Sequence, residues 1–165
     1  MVKKLVCLLA VVVAGAAIWY FLFNKTDKDQ VLDALSAVAE AASKTAGETT
    51  SSMLLKTQMV GGYFAEKCVL NIDDQMFTGE YTPEDISANM VRMRQFFTDN
   101  KLSFYDAEVL FPSVDEAVVN FTGSLKGTLK NQSRVNEARE IQAKLTKKSG
   151  SWRFYSFKIQ EILKK

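Results

Sequence analysis

Hydrophobic and polar positions divide the chain into one long uncharged run followed by shorter periodic segments. Residues 5–23 contain no charged side chain. At about 1.5 Å of rise per residue they form a helix of about 28 Å, close to the ~30 Å hydrocarbon core of a bilayer. Trp19 and Tyr20 lie near the end of the run, where aromatic rings favour the headgroup interface. The pattern therefore predicts a transmembrane helix over residues 5–23.

The charges on either side of this run predict its orientation. Lys3 and Lys4 precede it, whereas residues 24–29 mix two lysines with two aspartates. The cytoplasmic flanks of membrane helices are enriched in lysine and arginine. We therefore expect residues 1–4 to stay cytoplasmic and the chain from residue 24 onward to be periplasmic or extracellular.

A cleaved signal peptide is the alternative interpretation of the same run. Ala14-Gly15-Ala16 fits the small-x-small pattern of a cleavage site. Cleavage there would leave an apolar N-terminus over residues 17–23, which is unfavourable in water. For that reason we favour an uncleaved anchor. Both interpretations export the domain that follows.

Three helices are predicted downstream, from apolar residues at three- and four-residue spacing. After a polar linker over residues 24–29, the first runs over residues 30–44 with Asp27 or Asp29 as its cap. The second covers residues 52–66 and contains Gly61-Gly62, a pair that marks a bend or close packing. The third begins at Thr82-Pro83 and runs to residue 98. Its predicted inward residues are Ile86, Met90, Met93 and Phe97.

Strands are predicted where apolar and polar residues alternate. The first covers residues 68–72, before the third helix. Four more follow that helix, over residues 103–111, 116–122 with an extension to 129, 134–148 and 152–163. Residues 134–148 also suit a helix, but their alternation and the turn that follows favour a strand. The element order predicts an α+β domain over residues 30–165, in which three helices pack against an antiparallel sheet.

Composition excludes several kinds of site. The chain contains no histidine, which excludes imidazole bases, His-containing catalytic dyads and histidine metal ligands. Cys7 lies in the apolar run and Cys68 in the domain, so no disulfide closes the domain, and we expect Cys68 to be a buried apolar residue. A net charge of +2 is too small for an electrostatic nucleic-acid binder. We therefore expect no metal, no cofactor and no nucleic acid.

The element order, the helix start at Thr82-Pro83 and the final hairpin over residues 147–154 resemble the NTF2-like superfamily. This superfamily includes nuclear transport factor 2, ketosteroid isomerases and SnoaL-type cyclases, and the resemblance covers residues 30–163. It implies a curved sheet that forms a cone with the three helices. It also implies that an enzyme of this kind holds an acid/base pair in the cone, either a carboxylate with tyrosine donors or a His-Asp pair. The absence of histidine excludes the second here.

Five residues are candidates for lining the interior of such a cone: Tyr63, Phe97, Phe104, Asp106 and Trp152. Asp106 is the acidic member, and on a regular strand it points the same way as Glu108. One of these two carboxylates would orient a ligand or act as a general base, with Tyr63 or Tyr105 as donor. The opposite face of the same strand, formed by Tyr105, Ala107, Val109 and Phe111, is the more apolar one. If that face is buried, both carboxylates lie in solvent, and for this reason we assign no catalytic residue.

The anchor and the absence of a catalytic constellation favour a non-catalytic protein-interaction or assembly module at the membrane. This layout resembles secretion-system components that carry an exported NTF2-like domain behind one membrane span. The expected partner is another protein or a second copy of the chain. The alternatives are a binder of a small apolar ligand in the cone and, less favoured, an isomerase or dehydratase-type enzyme.

Overall fold

The computed structural model describes residues 25–71 and 78–160, with the backbone alone at Gln160. The predicted cytoplasmic residues 1–4 and the predicted transmembrane helix over residues 5–23 lie outside these ranges. Within the ranges, no helix has both the length and the apolar composition that crossing a bilayer requires. The described residues belong to the domain predicted to follow the anchor.

Three helices and six strands make up the described domain. In chain order they are α1 (Asp27–Ala42), α2 (Thr50–Gly61), β1 (Phe64–Asn71), β2 (Gly79–Tyr81), α3 (Pro83–Phe96), β3 (Phe97–Ser113), β4 (Glu116–Leu129), β5 (Arg134–Lys148) and β6 (Ser151–Gln160). The predicted order is confirmed, with one short strand, β2, that the sequence pattern missed. The segment that suited both a helix and a strand is β5, as its alternation predicted.

The six strands form one sheet in the order β2-β1-β6-β5-β4-β3. Neighbouring strands are antiparallel except β1 and β6, which are parallel. The prediction of an antiparallel sheet is therefore wrong for this pair, and the sheet is mixed. A hairpin forces its two strands to be antiparallel, but no hairpin joins β1 to β6. The last strand is free to insert between β1 and β5 in the parallel sense.

Helix α1 begins three residues earlier than predicted because Thr26, and neither aspartate, is its cap. The Thr26 hydroxyl accepts a hydrogen bond from the Asp29 N–H at 3.2 Å, and the Asp29 carboxylate accepts one from the Thr26 N–H at 3.1 Å. This reciprocal capping box satisfies two N–H groups that the helix itself leaves unpaired. Residues 27–29 of the predicted linker thus belong to the helix.

The glycine pair ends α2 instead of lying inside it. Gly61 is the last helical residue and Gly62 the C-cap, so the predicted helix over residues 52–66 is too long and β1 begins at Phe64, before the predicted residue 68. A Cβ on Gly61 would lie 3.1 Å from the Ser87 hydroxyl oxygen of α3. The pair therefore serves close packing between α2 and α3, one of the two roles expected for it.

The core lies between the helices and one face of the sheet. Helix α1 lies against the sheet with its closest strand neighbours in β3 and β6. The buried residues of β4 and β5 are small or aliphatic apart from Phe121. The fully or nearly buried members of the core are Val31, Ala34, Leu35, Val38, Ala41, Val60, Phe64, Cys68, Ile86, Ala117, Val119, Phe121, Ala143, Leu145, Trp152 and Phe154. Their alternation along β4 and β5 matches the period of two that predicted these strands.

A β-bulge in β3 changes which residues face the core. The register with β4 passes from Tyr105 opposite Thr122 to Glu108 opposite Asn120, so two residues of β3 oppose one of β4. Asp106 lies in this bulge with φ of 54°. Phe104 faces inward before it and Ala107 and Val109 after it.

The predicted buried face of β3 is therefore only half right. Ala107 and Val109 pack against the core, but Tyr105 is 52% and Phe111 42% exposed. Asp106 and Glu108 are exposed, as the more apolar alternative predicted. The regular alternation that the prediction assumed does not hold across a bulge.

A buried ion pair fastens the α1–α2 loop to α3. Arg94 is 0% exposed and donates hydrogen bonds to the Ala41 carbonyl and to the Glu48 carboxylate. Lys56 Nζ lies 3.2 Å from the other Glu48 oxygen. Burial alone raises the pKa of Glu48, but hydrogen bonds from Arg94 and Lys56 outweigh it and hold that pKa below its usual range.

Two further contacts complete this corner of the domain. Lys44 Nζ donates to the Phe97 carbonyl at 2.6 Å, at the C-terminal end of α3, where a cation also complements the helix dipole. The Asn100 amide donates to the Ala42 carbonyl at 2.9 Å. The ends of α1 and α3 and the start of β3 are therefore held together by polar bonds.

We predict that Arg94→Met lowers the free energy of unfolding by about 3–5 kcal/mol, because it leaves the Glu48 carboxylate buried without its main partner. Urea denaturation measures the change. Arg92→Met is the matched control on an exposed face of α3, where about 0.5 kcal/mol or less is expected. Equal losses in the two variants would contradict the structural role of the buried pair.

We predict that Glu48 makes stability depend on pH in the acid range. Its pKa is lower in the folded chain than the usual ~4.3, so its contribution is complete above that value and is lost as pH falls through the folded pKa. The stability difference between the parent chain and Glu48→Gln should therefore shrink on acidification. Glu40→Gln, at an exposed position of α1, is the matched control for the loss of one carboxylate.

We predict opposite effects of two substitutions at Asp106. Asp106→Gly should keep or raise stability by up to about 1 kcal/mol, because glycine adopts positive φ freely. Asp106→Val should lower stability by about 1–2 kcal/mol, because a β-branched residue is strained there. Glu108→Val, at an exposed position of the same strand, controls for the change of side chain and should be nearly neutral. Thermal unfolding of the four chains measures the differences.

Candidate functional site

The five predicted lining residues lie in different parts of the domain. Tyr63 and Trp152 line one depression of about 450 Å³, which opens between α1, the end of α2 and the start of β6. The ring of Phe104 lies 4.7 Å from that of Phe121, against the core. Phe97 is 6% exposed at the junction of α3 and β3. Asp106 is exposed, beside Glu108.

The position of Asp106 separates it from the interior. Along β4 the buried residues Val119 and Phe121 alternate with Asn120 and Thr122, which face away from the helices. The depression beside Asp106 is lined by those two outward residues and by Glu140. The structure therefore brings Tyr63 and Trp152 together and leaves the acidic candidate on the outer face of the sheet.

Trp152 is held by the first turn of α1. Its indole N–H donates to the Asp27 carboxylate at 3.1 Å, and Lys147 Nζ donates to the same oxygen at 2.7 Å. Hydrogen bonds from Lys147 and then Trp152 hold the pKa of Asp27 below its usual range. The one polar atom of a buried indole is thus satisfied, and the ring acts as a packing element between α1 and β6.

The middle of the cone is filled by side chains. Within the described ranges, six apolar residues from one helix and four strands are 0% exposed, so no water molecule touches them; they are Val31, Cys68, Val119, Ala143, Leu145 and Phe154. The rings of Phe154 and Phe157 lie 4.9 Å apart, and both approach Phe64 within 6.0 Å. At these positions the helices and the sheet meet without space for a ligand.

The ionisable groups inside the domain are not arranged for acid/base chemistry. In the described ranges Arg94 is the one charged residue that is fully buried, and its guanidinium is committed to Glu48 and to a backbone carbonyl. Burial raises the pKa of the Cys68 thiol to about 12. That thiol stays protonated at neutral pH and is no nucleophile. Residues 25–71 and 78–160 also hold no group of acidic and cysteine side chains fit for a metal ion.

An apolar groove lies at the end of α3, beside the β4–β5 turn. Phe96 is 68% exposed in it, and Met93 and Leu129 contribute to its walls. Arg92 and Lys130 lie on its rim, and its volume is about 880 Å³. We call this the Phe96 groove. Among the aromatic residues of the described ranges, Phe96 is the most exposed, and it lies next to Met93 and Leu129 in one groove.

Neither Arg94 nor Phe96 is among the residues predicted from the sequence to form a site or the core. Arg94 lies four residues after Met90 and eight after Ile86, on the predicted apolar stripe, and a charge on such a stripe indicates a buried ion pair. Phe96 precedes Phe97 at the helix end, where adjacent side chains point in directions about 100° apart. One ring of that pair could not face the core.

Basic residues surround the same end of the sheet. Lys101 and Lys126 lie directly opposite each other on β3 and β4, and neither has an ion-pair partner within the described part of the chain. Like charges in that arrangement destabilise a sheet. Arg134 follows at the start of β5, in the same depression as both lysines, and Glu40 and Asp99 line that depression as well. An acidic surface would relieve this repulsion.

The fold of this chain matches known proteins, whereas its sequence does not. No protein-family model matches the chain, and no curated protein matches it. Solved structures do match. The Kfla4162 protein from Kribbella flavida superimposes with a TM-score of 0.66 at 12% identity, over 81% of this chain and 89% of that chain.

Two further structures give the same result. The hexachlorocyclohexane dehydrochlorinase LinA-type3 from Novosphingobium barchaimii has a TM-score of 0.63 at 12% identity, over 81% of this chain and 84% of that chain. Aln2 from a Streptomyces species has a TM-score of 0.59 at 14% identity, over 80% of this chain and 88% of that chain. At such identities the likeness concerns the fold alone. The chain has an NTF2-like cone fold.

Proposed function

We propose that this chain is a membrane-anchored, exported NTF2-like domain that acts as a non-catalytic protein-interaction module. The observation that carries the proposal is the packed interior. Where an enzyme of this fold needs a cavity and an acid/base pair, the described residues supply apolar side chains at 0% exposure and one committed ion pair. A domain with such an interior would act through contacts made by its surface residues.

The anchor and its orientation come from the sequence. The uncharged run over residues 5–23, with Lys3 and Lys4 before it, supports a single span with residues 1–4 in the cytoplasm. Tethering confines the domain to two dimensions and raises its effective concentration near a neighbouring membrane protein. Such confinement suits assembly better than the processing of a diffusing substrate.

The Phe96 groove is the surface that fits a protein partner. It combines the 68% exposed ring of Phe96 with the basic residues Arg92 and Lys130. Protein–protein interfaces commonly have an aromatic residue at the centre and polar residues at the rim. The basic residues of β3, β4 and β5 extend that border. The partner surface should therefore carry carboxylates around an apolar side chain.

The groove would also face away from the membrane. The Asp27 carboxylate, at the start of α1, accepts a hydrogen bond from the Lys147 side chain, and the Lys147 backbone N–H donates to the Asp115 carbonyl. Asp115 directly precedes β4, so the start of α1 lies near the first residue of that strand. Leu129, in the groove, is the last residue of β4. A strand of 14 residues spans about 43 Å. The groove and the start of α1 thus lie at opposite ends of β4, which leaves the groove open to a partner within the exported space.

A small apolar ligand is the second candidate, favoured by the depression that Tyr63 and Trp152 share. The solved structures with this fold include hexachlorocyclohexane dehydrochlorinases, which act as enzymes on a small apolar compound. In this chain, however, Trp152 is 4% exposed and its N–H is already bonded. A thermal-shift screen of apolar compounds distinguishes the two functions, because the interaction module predicts no shift.

We predict that a photo-reactive side chain in the Phe96 groove forms a discrete adduct. The full chain carrying p-benzoylphenylalanine in place of Phe96 is irradiated in its own membrane and resolved by mass. The matched control replaces Tyr105, an exposed aromatic residue on the outer face of the sheet. An adduct at twice the mass of the chain would identify a second copy as the partner.

Two other results of the crosslinking experiment would contradict a partner in the Phe96 groove. If neither position forms an adduct while an apolar compound raises the melting temperature, the interaction module is wrong and the ligand binder replaces it. An adduct at Tyr105 alone would move the partner from the groove to the outer face of the sheet.

A further inference from the structure

The start of α1 lies beside two hairpin turns at one end of the sheet. The Asp27 carboxylate accepts hydrogen bonds from Lys147 and Trp152 in the β5–β6 hairpin, at 2.7 and 3.1 Å. The Lys147 N–H donates to the Asp115 carbonyl in the β3–β4 turn at 2.9 Å. All three elements therefore hold fixed positions relative to the first turn of α1.

Exposed apolar side chains lie in the β3–β4 turn and at the end of the strand before it. Val114, in the turn, is 83% exposed. Phe111, near the end of β3, is 42% exposed, and its ring lies 5.6 Å from that of Trp152. Pro112 follows Phe111. We call residues 111–115 the apex. Together with Asp27, Lys147 and the β5–β6 turn, it lines a depression at this end of the domain.

We propose that the apex is a membrane contact, in which Val114 and its neighbours insert among the lipid headgroups of the bilayer that holds the anchor. The inference rests on the anchor of the proposed function. Asp27 follows Phe23, the last residue of the apolar run, by four positions, a reach of at most about 14 Å. One headgroup region is about 5–8 Å deep, so this reach keeps the first turn of α1 within about one further headgroup depth of the membrane surface, and the apex is held beside that turn.

Local charge favours an apolar contact over an electrostatic one. The acidic groups beside the anchor are paired within the domain, Asp27 with Lys147 at 2.7 Å and Asp33 with Lys25. Asp29 is bonded into the capping box of α1. The apex adds one exposed carboxylate, Asp115, which is in no ion pair within the described ranges, so anionic lipid would repel the apex and not attract it. The contact should therefore form on zwitterionic lipid.

The test uses the full chain reconstituted in phosphatidylcholine vesicles, with an environment-sensitive fluorophore on a single cysteine. Val114→Cys places the label at the apex in a Cys7→Ser background. Cys68 is 0% exposed and its pKa is raised to about 12, so the folded chain leaves it unlabelled, as the Cys7→Ser chain alone verifies. Asn131→Cys, in the β4–β5 turn at the other end of β4, is the matched control.

The expected result is quenching by nitroxide-labelled lipid that is severalfold stronger at position 114 than at position 131. Equal quenching at the two positions, or none at 114 in a chain that floats with the vesicles, would overturn the membrane contact alone. A chain that fails to float with the vesicles would overturn the anchor as well. Intrinsic tryptophan emission of each labelled chain reports that the domain is folded.

Discussion

The buried guanidinium of Arg94 sets the geometry of the helical layer. A charge without water is stable only where fixed partners surround it, and here the partners come from the end of α1 and from the loop after it. Both must be in place at once for the charge to be satisfied. Lys44 and Asn100 extend the same requirement to the end of α3 and the start of β3. These contacts fix the end of α1, the α1–α2 loop and the end of α3 relative to one another around the core.

The interior of the cone is filled with apolar side chains, and further apolar side chains are exposed at both ends of the sheet. A cone that opens to hold a substrate gives up part of its core, whereas this one keeps aromatic and aliphatic side chains in contact across its middle. The most exposed aromatic ring and the most exposed aliphatic side chain instead lie at the two ends of the sheet, at Phe96 and at the apex. At one end basic residues line a depression together with Glu40 and Asp99. At the other end Asp27 and Asp33 are paired with lysines, and Asp115 is exposed. The two ends are thus suited to different surroundings.

Local signals were sufficient for most of the elements. The Thr82-Pro83 start of α3 and the alternation of β5 depend on neighbouring residues only, and both predictions are confirmed. The parallel pairing of β1 with β6 joins residues from the two ends of the domain, so no local pattern encodes it. The bulge at Asp106 reverses the alternation of β3 at that point, because one added residue changes the parity of every later one, so the buried face predicted with Tyr105 holds only for Ala107 and Val109. That reversal also removed Asp106 from the predicted lining of the cone.

The central place of β6 has a consequence for how the domain is completed. β6 is the last strand of the described chain, yet it joins β1–β2 on one side to β5–β4–β3 on the other. Until it arrives, the sheet exists as two pieces with open edges, and loop closure over almost the whole domain must precede the final pairing. The six-stranded sheet is therefore complete only when this last described strand has docked between β1 and β5.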